Sequence, residues 1–403
     1  MHVCFTASQR SNPFSYRYVV FYLTAVGLSI FICLMNYRLP TILLTAILLS
    51  YGCKTTKLPT GSIPVTAQLT EEGLLNCFTP GTSVNGQPIW CEASAVLFDG
   101  NDVLIANDKD MPAGQSSVFA KKPTALGDST QAPAYLNQPI FGNAHKYEDF
   151  AQTPDRKFIF LTTAFDRVKP NSPDWDGFNT ILYWRNGDPD HAAVLAPDDT
   201  SRNSMAYRLH IAQVLSNDQF PGSMPYFKIE GLAATDKQLL FGVREEGKSY
   251  ESFSYRAKII SVSYRIEKTN MGERIRLDDD WKIINNFDIA KAEPSLPQPL
   301  ALSSLEYDPQ RKTVWMLTSL EANGKLDAYL WSSSLTDLYA GKPFTLVRNA
   351  QEQPLSVSHK AEDITPLDKN HLLLIHDDDR VRTQVGSRIR QPHQAAYTII
   401  KLN

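Results

Sequence analysis

Five residues recur at one place in a repeated phrase, and their types are those that hold hard cations or move protons. Glu148, Glu230 and Glu362 stand in Lys146-Tyr147-Glu148-Asp149-Phe150, Lys228-Ile229-Glu230-Gly231-Leu232 and Lys360-Ala361-Glu362-Asp363-Ile364. In two weaker copies a serine takes the glutamate's place: Ser94 before Ala95-Val96, and Ser303 before Ser304-Leu305. Brought to one axis, three carboxylates repel one another unless they are protonated or neutralised by a cation. Carboxylate and hydroxyl oxygens, completed by backbone carbonyls and water, suit Ca2+ better than zinc or copper, which favour His and Cys. The alternative is that these glutamates and serines hydrogen-bond neighbouring parts of the fold and bind no metal.

Each phrase opens a hairpin. A short apolar strand meets a turn of Asp, Gly, Pro, Asn or Lys, and a second strand rich in Val, Ile, Leu and Phe follows. The five residues lie 54, 82, 73 and 59 positions apart, and a third strand begins near Ser116, Ile181, Lys258, Ala328 and Ala395. Hairpins of this kind cannot bury their faces alone and must be repeated. A hairpin with one or two further strands at this spacing is a propeller blade. The expectation is therefore all-β: a five-bladed β-propeller over residues 77–403, with long loop insertions at 111–143 and after Phe165, and one short helical decoration over 204–215. The stretch LDDDWKIINNFDI from Leu277 reads as another strand pair.

In such a fold the first strand of each blade lines the channel. Neighbouring strands are antiparallel, so the loops after the second strands crowd round the mouth where the five residues lie. Those loops are Asn107-Asp108-Lys109-Asp110, Phe165-Asp166-Arg167, Arg244-Glu245-Glu246, Leu320-Glu321 and His376-Asp377-Asp378-Asp379-Arg380, with Arg256, Arg382, Arg388 and Arg390 close by in sequence. This face is where binding or chemistry is expected.

The chain of 403 residues is 43% hydrophobic, carries a net charge of -3 and has no basic block, so no nucleic-acid polymer is expected as partner. It contains no P-loop, GxSxG, HExxH or CxxC motif. Residues 1–53 read as a leader. Of its two apolar stretches, 18–35 and 39–49, the second is too short to span a bilayer, follows Met35 and Arg38, and ends at Ser50-Tyr51-Gly52-Cys53. Gly52-Cys53 resembles the bacterial lipoprotein signal, which implies lipid attachment at Cys53 and a start at Met35; the alternative is a membrane anchor at 18–35. Both place the body outside the cytoplasm, in a bacterial periplasm or on the cell surface, held at a membrane by the polar tether 54–76. Cys77 and Cys91 remain as a pair. An exported protein can keep such a bridge, which contributes about 3 kcal/mol in the chain-entropy model.

The order Ser, Glu, Glu, Ser, Glu over five hairpins, with KIEGLA in the third and LSSLEYD in the fourth, resembles the calcium-activated nucleotidase (apyrase) family. The resemblance implies a Ca2+ in the channel held by Ser94, Glu148, Glu230, Ser303 and Glu362, and hydrolysis of nucleoside diphosphates. It also places a small phosphorylated substrate at the Arg244-Glu245-Glu246 loop and Arg256. On that reading Arg244 and Arg256 offset phosphate charge and Glu245 acts as base towards a water. The competing class is a non-catalytic surface lipoprotein that binds a glycan, peptide or protein partner on the same face. Converging positive side chains favour the enzyme; aromatic residues such as Trp175 favour the binder.

Overall fold

Runs such as Phe158–Thr163 and Leu372-Leu373-Leu374-Ile375 are apolar at almost every position, the pattern of strands covered on both faces. The computed structural model describes residues 65–403 apart from 110, 113, 114, 271 and 323, and it covers those strands with their neighbours in a five-bladed β-propeller. Blade 1 runs Ala93–Phe98, Val103–Asn107, Val118–Lys121, Ala134–Tyr135; blade 2 runs Tyr147–Gln152, Phe158–Thr163, Ile181–Arg185, Ala193–Val194. Blade 3 is Tyr226–Ala234, Gln238–Ser249 and the long Ser252–Thr269, on which both Gly272–Leu277 and Lys282–Asn286 pair. Blade 4 is Leu300–Asp308, Thr313–Leu320 and Ala328–Ser334, edged by Thr345–Leu346 and Ser356–Val357. Blade 5 is Ala361–Pro366, His371–His376, Gln394–Leu402 and, outermost, Ala67–Asn76 from the other end of the chain.

The core is five wedges, each held between successive blades. Side chains of period two serve two wedges at once: Leu104 packs between blades 1 and 2, while Ile105 packs between blades 5 and 1. Phe158 and Phe160 enter the wedge with blade 3, and Ile159 and Leu161 that with blade 1. The expected helical decoration is Met205–Val214, whose Tyr207, Ile211 and Ala212 fill the wedge between blades 2 and 3.

Two expectations need correcting. Residues 67–76 are not tether, because Ala67–Asn76 pairs antiparallel with Gln394–Leu402 and closes the ring. Leu74 and Leu75 of that strand are buried, which gives a polar-looking segment its reason to fold. The residues around Leu277 do not pair with one another either; two separate strands lie on different lengths of Ser252–Thr269. Cys77 and Cys91 form a disulfide directly after the closing strand. The leader, including Cys53, lies outside the described residues, and among the described residues no helix is long and apolar enough to cross a membrane.

Candidate functional site

In every blade the pairing of first and second strand slips by one residue at the same point, across Ala93/Ala95, Tyr147/Asp149, Ile229/Gly231, Leu302/Ser304 and Ala361/Asp363. The residue spanned by each slip is Ser94, Glu148, Glu230, Ser303 or Glu362. A bulge leaves one residue out of the ladder and re-aims its side chain. The five blades thus use one device to build the mouth of the channel.

Ser94, Glu148, Glu230 and Glu362 line a cavity of about 540 Å3 together with side chains from all five second-strand loops, among them Asp108, Arg167, Arg244, Glu245, Glu321 and Asp377. Ser303 does not reach its wall. Its hydroxyl lies 2.7 Å from that of Ser319 and accepts from Arg244 Nη1 at 3.3 Å. Trp175 is exposed outside the cavity, and Arg256 also lies outside it, with Nε 3.3 Å from Glu246. Glu245 lines the wall and accepts a hydrogen bond from the Tyr226 hydroxyl.

The lysine two residues before each glutamate enters the same cavity, Lys228 from within its strand and Lys146 and Lys360 from the position just ahead of Tyr147–Gln152 and Ala361–Pro366. Lys228 Nζ bonds Glu230 and stands 3.3 Å from Glu148; Lys146 Nζ is 2.6 Å from Asp166 and 3.8 Å from Glu148. Lys360 Nζ is 3.0 Å from Glu362 and 3.2 Å from Asp379. Arg244 is buried and donates to Glu230 Oε2 at 2.6 Å, to the Leu302 carbonyl at 2.9 Å, and to Glu321. The glutamates are therefore interleaved with ammonium and guanidinium groups.

Proton affinities follow from this arrangement. Burial, reinforced by the charge of Glu230, pushes Glu148 up to about 8, and burial pushes Glu362 up to about 7. Burial works on Glu230 as well, but Arg244 and Lys228 outweigh it and hold that carboxyl below its usual range. Asp377 is raised well above the ordinary value, first by burial. One layer deeper, Asp149 accepts from the backbone of Leu232 at 2.8 Å and Leu305 at 3.2 Å, and Asp363 from Val96 N and Ser304 Oγ at 2.6 Å each. These two buried carboxyls join blades across the axis. Burial raises Asp149 well above its usual range and Asp363 to about 7.

The donor set does not fit Ca2+, which needs six to eight oxygens at about 2.3–2.6 Å. Both oxygens of Glu230 already bind cations, Ser303 is engaged, and the Lys228 ammonium stands between Glu148 and Glu230. Among the described residues no three Asp, Glu, His or Cys side chains converge to hold a metal. Arg244, expected to meet phosphate, is likewise spent on protein acceptors. The lysines carried a readable signal, since one stands two residues before the glutamate in all three phrases; the deeper Asp149 and Asp363 stood in the same phrases.

No family model matches the chain, and no curated protein matches it. Among solved structures it is similar to the PQQ-bound aldose sugar dehydrogenase of Streptomyces coelicolor, at 14% identity and a TM-score of 0.31 over 83% of this chain and 100% of that one. It is similar also to an α-L-arabinofuranosidase of Podospora anserina in complex with cellotriose, at 10% identity and 0.37 over 86% and 98%. The catalytic domain of the Coprinopsis cinerea α-L-arabinofuranosidase gives 10% and 0.38 over 85% and 98%. Likeness at this level concerns the fold alone and carries nothing about activity.

Proposed function

We propose that the channel mouth binds a small ligand rich in hydrogen-bond donors and free of negative charge, a carbohydrate being the simplest case, and that Glu148 is its proton donor wherever the ligand is turned over. The observation behind this reading is the charge of the wall, where nine carboxyl groups face six lysine and arginine side chains, each with an acidic partner within 4 Å. The oxygens of a phosphorylated ligand would have to compete with carboxylates for every one of these cations. Hydroxyl groups, by contrast, donate to carboxylates without loss. A glutamic acid pushed up to about 8 by burial is poised for general-acid work at neutrality: protonating the acetal oxygen as its bond to carbon breaks, while water adds to that carbon and gives up a proton to solvent, would cleave a glycosidic bond.

A panel of nitrophenyl glycosides, nitrophenyl phosphate and nucleoside diphosphates, with thermal-shift titration of free sugars, tests the reading. Sugars should raise the melting temperature or glycosides be cleaved, with phosphates inert. Phosphate release that requires Ca2+ would restore the nucleotidase reading instead. The position outside the cytoplasm is part of the same proposal and is supported by the Cys77–Cys91 bridge, a bond that oxidising compartments preserve. If Cys53 carries a lipid, Cys53→Ser abolishes lipid labelling; unchanged labelling removes that assignment.

A further inference from the structure

Where blades 5 and 1 meet, the cavity wall presents an acceptor that the protein leaves unmet. Asp377 is 5% exposed and lines the cavity, yet its Oδ1 receives no hydrogen bond. The guanidinium of Arg390 is 3.9 Å away, and its N–H groups go to the carbonyls of Cys91, Asp379, Val381 and Gln394. Burying a carboxyl without a donor is costly, and a site that does so is built for a donor from elsewhere.

The same corner already shows what kind of donor it accepts. Glu92 and Asp108 share the ammonium of Lys109, which lies 2.5 Å from Glu92 Oε2 and 2.9 Å from Asp108 Oδ1. That lysine side chain is 37% exposed, so it can swing out into solvent. Lys360 is held by Glu362 and Asp379, and Arg380 reaches Glu92 at 3.4 Å from an exposed position.

We infer that this corner is a subsite for a primary ammonium group of the ligand, which would donate to Asp377 and stand beside, or in place of, the Lys109 ammonium between Glu92 and Asp108. A compact ammonium with three donors suits carboxylates on several sides, whereas a planar guanidinium needs a paired fork. The inference rests on the reading of the mouth as a ligand site and narrows the ligand class to amines, an amino sugar among them.

Calorimetric titration of the protein with glucosamine, glucose and N-acetylglucosamine tests it. Glucosamine should bind, and the two sugars without a free amine should bind at least about tenfold more weakly. Asp377→Asn keeps the shape and removes the charge, so it should erase that preference. Lys109→Met should tighten glucosamine binding by freeing the Glu92 and Asp108 oxygens, a gain that a damaged fold cannot imitate. Equal binding of glucose and glucosamine overturns the subsite while the mouth remains a ligand site; no binding of any of the three overturns both. A wild-type preference that survives in Asp377→Asn, or weaker binding in Lys109→Met, also overturns it. So does displacement of glucosamine by Ca2+ in the wild type but not in Asp377→Asn, since the corner would then belong to a metal.

Discussion

Glu230 shows how far one carboxylate can be tied into its surroundings. With Lys228 on one oxygen and Arg244 on the other, it neutralises one half-buried and one buried cation. Glu230→Gln should therefore destabilise the fold by about 3–5 kcal/mol, the range for breaking a buried ion pair from one side. A channel built round a bound metal predicts the reverse, since losing a like charge would relieve the empty ring. Urea denaturation of the variant decides, and unchanged stability would show that the lysine and arginine do not depend on this partner. Much of this was legible in the phrase Lys-x-Glu, which sets a cation close to each glutamate in all three copies. The unmet oxygen of Asp377 was not. It depends on how deeply a loop side chain sinks and on where Arg390 spends its donors, and neither has a sequence period.

At the scale of the element, the bulge explains why the residue after each glutamate or serine is Ala95, Asp149, Gly231, Ser304 or Asp363. These sit one layer deeper, where the strands come together. A Cβ placed on Gly231 would lie 2.9 Å from Leu305 Cβ and 3.0 Å from the Gly242 Cα. Gly231→Ala should thus cost about 1–3 kcal/mol by overpacking, read as a lower melting temperature with the sheet content unchanged. A neutral effect would mean that blades 3 and 4 can part there at little cost. The hairpins and third strands were legible from apolar runs and turn residues. The closing strand was not, because Gln68, Thr70, Glu71 and Glu72 read as solvated chain; only its partner, far away in sequence, makes Ala67–Asn76 a strand.

For the molecule as a whole, the buried carboxyls set a pH dependence. Glu148 is raised to about 8, and Glu362 and Asp363 to about 7, in each case first by burial. Their folded-state values exceed the unfolded ones near 4, so the stability they contribute is complete below about pH 4 and is lost as pH rises through 7 to 8. Glu230 is shifted the other way, as is Asp378, which the hydrogen bond from His359 holds at about 2 against its burial. Their contribution is present above about pH 4 and is lost on acidification. Stability should peak on the mildly acidic side and fall between about pH 5 and 8, as melting scans in matched buffers can measure. A rise over that interval would mean these carboxyls give up their protons freely in the folded state.

The clasp that closes the ring also has a mechanical meaning. Nine residue pairs hold Ala67–Asn76 against Gln394–Leu402, beginning at Ala67 with Leu402, so tension applied ahead of Ala67 loads the outermost seam of the propeller first. The seam would peel towards Asn76, and the next residue is Cys77, covalently fastened to Cys91. The disulfide carries that load straight to Cys91, so the loop between the two cysteines is kept out of the extension. Stretching single molecules from the N-terminal end should release less chain under oxidising conditions than after reduction, the difference being the loop enclosed by Cys77 and Cys91, which stand 14 positions apart.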